Sequence, residues 1–102
     1  MNYEWDPVKN LENIKKHKVS FEQAKIALED IHRLYCYDEA HSINENRYIV
    51  FGNAEGRILF VNIVWIGEDT TRIISARRAN KNEMEVYNEN CSLFFGKRTQ
   101  TH

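Results

Sequence analysis

A single proline, four glycines, two cysteines and no long apolar run mark this 102-residue sequence as much by absence as by content. With so little proline and glycine, it contains no low-complexity segment and no interdomain linker. Cys36 and Cys91 stand far apart without CxxC spacing, which suits reduced thiols in cytoplasm better than a disulfide framework. No stretch reaches the length of a membrane span, and no apolar targeting segment follows Met1, so a soluble, cytoplasmic protein with no membrane partner is expected. Charge of one sign is missing too. The formal net charge is -1, so any contact with RNA or DNA has to come from a local patch. Residues 1–90 are expected to form one small domain, and 91–102, with Leu93-Phe94-Phe95, a tail that docks on the core or on another chain.

What is present centres on Arg57 to Ala79. Ile58 to Ile66 is apolar except for Asn62, as in a mid-sheet strand buried on both faces. Gly67-Glu68-Asp69 supplies a turn. The return arm alternates, and strict period two sets Arg72, Ile74, Ala76 and Arg78 on one face and Thr71, Ile73, Ser75 and Arg77 on the other. Unpaired arginines are costly to bury, so these belong at the sheet rim, where they can meet an anion.

The flanking segments read by local chemistry. Asn2 to Trp5 is a short edge strand. Asp6-Pro7 starts a helix with an N-cap and proline at N1, and Val8, Leu11 and Ile14 recur at helical spacing, with Lys9, Asn13 and Lys16 on its polar surface. Ser20 and Gln23 form a capping box for a second helix with Phe21, Ala24, Leu28 and Ile31 inward. Arg33–Tyr37 and Arg47–Gly52 are strands, and Asn53 to Gly56 is a turn. Asn80 with Glu83 opens a last helix. The expected fold is α+β: a four-stranded antiparallel meander, two N-terminal helices and a C-terminal helix.

The sequence resembles the BrnT family of bacterial toxins. Trp5-Asp6-Pro7, Lys9, Asn13, Lys16-His17, Val19-Ser20-Phe21-Glu22 and Ala24 carry the resemblance at one end; Arg72 to Ala79 (RIISARRA), Glu83 and Tyr87 carry it at the other, with Arg47 and Gly52 between. Lys18 departs from it, standing where the family has glycine. The resemblance implies a RelE-like fold, a metal-independent endoribonuclease that inhibits translation, and a DNA-binding antitoxin of the BrnA type. DNA would then be met only through that antitoxin.

Metal-free RNA cleavage needs a base for the 2′-hydroxyl, cations for the phosphorane and an acid for the leaving oxygen. Arg72, Arg77 and Arg78 are the candidate cations; their structural alternative is pairing with Glu83, Glu85 or Asp69 at the rim. His17 is the candidate proton handler, or else a cation ending the first helix. Candidate RNA contacts are Lys9, Lys16, Tyr87 and Glu83, although Glu83 also has a capping role and Tyr87 suits a core position. His32, Cys36 and His41 match no common zinc spacing, so no metal or other cofactor is expected. The competing function is a non-catalytic module docking an acidic protein through its arginine rim.

Overall fold

The computed structural model describes residues 1–89. In chain order its elements are β1 (Asn2–Glu4), α1 (Pro7–His17), α2 (Phe21–Leu28), β2 (Leu34–Tyr37), a 3-10 turn at Glu39–His41, β3 (Asn46–Ala54), β4 (Arg57–Ile66) and β5 (Thr70–Arg78). A third helix, α3, occupies 81–89. The tail expected at 91–102 lies outside the described residues.

The strand order is β1-β5-β4-β3-β2, with β4 in the middle between β3 and β5. The expected four-stranded antiparallel sheet is therefore corrected to a five-stranded mixed one: β1 runs parallel to β5, pairing Asn2, Tyr3 and Glu4 with Thr70, Thr71 and Arg72. Both β4 turns use the left-handed backbone. Glu55 and Gly56, with φ of 54° and 89°, join β3 to β4, and Gly67, with φ of 68°, opens the turn into β5.

The three helix starts form as their sequences dictate. Asp6 accepts from the Val8 amide at 2.9 Å, and Ser20 and Gln23 make both bonds of the capping box. Asn80 and Glu83 cap each other reciprocally at 2.8 Å. Lys18 adopts the left-handed conformation at φ 61° and closes α1 by donating its amide to the Ile14 carbonyl. For a residue with a side chain that conformation costs about 1 kcal/mol.

Phe21, Ala24, Ala27 and Leu28 of α2 pack on Val50 and Ala54 of β3, Leu59, Val61 and Ile63 of β4, and Ile73 and Ala76 of β5. Trp5 meets Phe21 edge to face at 6.1 Å. The contact is so close at Gly52 that a Cβ there would stand 2.1 Å from the Ala27 carbonyl oxygen. Gly52→Ala is therefore expected to lower stability by about 2 kcal/mol, read as a drop in denaturation midpoint at unchanged slope. An unshifted midpoint would show that α2 does not rest on β3 this closely.

The second face of β4 is covered less than the sequence suggests: Ile58, Phe60 and Asn62 are only half-buried. α1 departs further. Its Val8, Leu11 and Ile14 stripe is exposed, while Asn13, expected on the surface, is 7% exposed. The reason is where α1 lies. β1 covers only the first residues of β5, and past Arg72 the backbone of β5 needs another partner. Asn13 supplies it, donating Nδ2 to the Ala76 carbonyl at 2.7 Å and accepting the Ala76 amide at 3.1 Å, with a further bond to the Val19 carbonyl. α1 thus docks through a polar side.

Candidate functional site

A bulge decides which arginines share a face. The β4–β5 register pairs Asn62 with Ser75 but Ile63 with Ile73, so Ile74 is the extra residue. Side-chain alternation is reset there. Arg72, Ser75 and Arg77 share one face, while Thr71, Ile73, Ala76 and Arg78 share the other, toward α2. This corrects the strict alternation, which grouped Arg72 with Arg78.

Three cross-strand rows build the face that bears Arg72. Glu4, Arg72, Val64 and Arg47 form the first; Ser75, Asn62, Ile49 and Cys36 the second; Arg77, Phe60, Phe51 and Leu34 the third. In the first row Arg72 Nε donates to Glu4 at 2.7 Å and Arg47 Nε donates to Glu45 at 2.7 Å. Val64 between them is 4% exposed. A cleft of about 410 Å³ opens over this row, lined by Glu4, Lys9, Glu45, Arg47, Val64 and Arg72 among others. In the second row Asn62 Nδ2 donates to Ser75 Oγ at 2.8 Å, which gives Ser75 a structural partner rather than a base.

Arg77 ends in the third row, four β4 positions from Arg72 and hence about 13 Å away along the strand. Its Nη1 and Nη2 donate to the two Glu83 oxygens at 2.8 and 2.9 Å, Nη1 also reaches the Arg78 carbonyl, and the guanidinium lies 3.9 Å from the Phe60 ring centroid. The hydrogen bond from Arg77, outweighing the effect of burial, holds the Glu83 carboxyl below the usual carboxylate range; the same bond raises Arg77. For this pair the rim-pairing alternative is what forms, and it ties α3 to the sheet. Arg78 is exposed in the row of Leu59 and Gly52 on the helix side.

The remaining candidates divide. Lys9 lines the arginine cleft and also an adjoining recess with Glu12, Asn13, Lys16, His17 and Ile74. α1 thus brings Lys9 beside Arg72, while Lys16 and His17 line only the recess further along the helix. Tyr87 is not: it is buried, and its hydroxyl donates to Asp30. Burial works to raise the Asp30 carboxyl, but that bond and those from the His32 and Asn53 amides outweigh it and hold the carboxyl below its ordinary value. A folded-state pKa below the unfolded one stabilises the protein above the unfolded value, and this is lost as pH falls through the folded one. Thermal stability should drop below about pH 4, and the drop between pH 5 and pH 3 should be smaller in Asp30→Asn. Equal drops in both proteins would refute this role for Asp30.

Sequence reasoning missed Glu4, Glu45 and Arg47 as site residues. Glu4 carries no local signal, because it meets Arg72 only through the long-range parallel pairing of β1 with β5. Among the described residues no group of three His, Cys, Asp or Glu side chains is arranged to hold a metal, and no helix is long and apolar enough to cross a membrane.

A family model described as "Ribonuclease toxin, BrnT, of type II toxin-antitoxin system" matches residues 5–83. The structure is also similar to the crystal structure of the Brucella abortus ribonuclease toxin, BrnT, at 25% identity and a TM-score of 0.63, covering 79% of this chain and 99% of that one. No curated protein matches.

Proposed function

The chain belongs to the BrnT family of ribonuclease toxins of type II toxin–antitoxin systems, and on that premise we propose that it is a metal-independent endoribonuclease that inhibits translation. The observation that carries this is the cleft in which Arg72 and Lys9 lie beside a carboxylate, Glu4. RNA carries its own nucleophile. When the 2′-oxygen attacks the adjacent phosphorus and the 5′-oxygen leaves, the protein has to stabilise the added negative charge and move two protons. Arg72 stabilises the phosphorane with a permanently charged, forked donor. Lys9 guides the strand into the cleft, Lys16 and His17 extend that cationic track along α1, and Glu4, the carboxylate beside Arg72, is placed to handle a proton. Arg77, already held by Glu83, serves mainly to fix α3, and Arg78 faces away from the cleft.

In this reading the chain is cytoplasmic and a BrnA-type antitoxin silences it by covering the arginine-bearing face. DNA recognition then falls to the antitoxin, because a net charge of -1 offers no general attraction for an operator. The test is chemical. The purified chain should cut an RNA to leave a 2′,3′-cyclic phosphate, and leave intact the same sequence carrying 2′-O-methyl groups. Cutting of the methylated strand would rule out the 2′-hydroxyl as nucleophile.

A further inference from the structure

We infer that the scissile phosphate binds between Arg47 and Arg72, across Val64, and that Arg47 is the second phosphate-gripping cation of the site. This rests on the ribonuclease reading above and locates the phosphate within it. Register is the first ground. Arg47 and Arg72 each pair directly with Val64 from opposite sides, so both side chains leave the same face, about 10 Å apart at the backbone. Two arginine side chains can close that span on one small anion. Val64, 4% exposed, forms an apolar floor, and Lys9 adds a third cation from the wall.

Donor accounting is the second ground. Arg77 spends both Nη groups on the Glu83 carboxylate and lays its guanidinium on Phe60. Arg47 touches Glu45 through Nε, and among the described residues no acceptor takes its Nη donors. A phosphate oxygen fits those donors as a charge-assisted partner. The Arg47–Glu45 and Arg72–Glu4 pairs are partly exposed, with side-chain exposures of 35% and 44%, and 52% and 43%. Ion pairs this open are worth little, so an entering phosphate displaces the carboxylates readily. Until then Glu45 and Glu4 hold the two guanidiniums over the cleft.

The experiment compares wild type, Arg47→Ala, Arg47→Lys and, as a surface control, Arg57→Ala. Each is assayed for cleavage of a fluorescent RNA, and for binding of its 2′-O-methyl counterpart across a salt series. Arg47→Ala should cut about 10²–10³-fold more slowly, and its binding slope against log salt should flatten by about 0.7, the loss of one phosphate contact on a single strand. Arg47→Lys should keep the slope and lose most of the rate, because charge survives and the fork does not. Arg57→Ala should match wild type in both. A folded Arg47→Ala with wild-type rate and slope would overturn the inference and leave the ribonuclease reading standing. A wild-type chain that binds RNA without cutting it would overturn that reading, while the slope of Arg47→Ala would still decide the phosphate site.

Discussion

Arg72→Ala is expected to slow RNA cleavage about 10²–10³-fold and to leave the fold standing. The two halves of that expectation have separate grounds. In the folded protein Arg72 is exposed and makes one exposed ion pair, with Glu4. Losing such a pair costs at most about 1 kcal/mol. In the proposed reaction it faces a phosphorane that carries more charge than the bound phosphate, so its contribution falls mainly on the transition state. The maximal rate should therefore fall far more than RNA affinity. Single-turnover cleavage, alongside circular dichroism and a melting curve, separates the two. A folded Arg72→Ala at wild-type rate would move the site away from the first cross-strand row.

The largest stability effect belongs to Asn13. Replacing it with leucine keeps the branched shape and removes the amide that satisfies both backbone groups of Ala76 and the Val19 carbonyl. Each buried group left without a partner costs about 1–3 kcal/mol, so Asn13→Leu should lose about 3 kcal/mol or more. For a domain this small, that corresponds to a melting temperature lower by roughly 15 °C. The effect reaches function as well. α1 carries Lys9, Lys16 and His17, and Asn13 is what fixes α1 along the edge of β5. Cleavage measured well below the lowered melting point should therefore also fall. An Asn13→Leu protein melting within a few degrees of wild type would mean that another group completes the β5 edge.

These two residues also show how far the sequence could be read. The caps at Asp6, Ser20 and Asn80, the turns at Gly56 and Gly67 and the central position of β4 were all legible, because each depends on neighbours a few residues away. Asn13 was not. An asparagine among lysines reads as surface, and Val8, Leu11 and Ile14 read as a buried stripe; only the tertiary fact of an unpaired strand edge reverses the two faces. Parallel pairing of β1 was hidden for the same reason, since Glu4 and Arg72 meet across most of the chain. The bulge did leave a trace. Ile73 and Ile74 are adjacent apolar residues in an otherwise alternating strand, which is the phase slip that turns Arg77, rather than Arg78, to the side of Arg72. Arg47 stood in the family pattern, but the role proposed for it emerges only once β4 sets it across Val64 from Arg72.

In the function proposed above, this chain cuts RNA with its own side chains at the Arg72 cleft, without a metal ion. The most direct measurement is the cleavage rate of the purified protein on a fluorescent RNA in excess EDTA. The rate in EDTA should equal that in buffer with a divalent ion. Cleavage that disappears with EDTA and returns when a divalent ion is restored would contradict it.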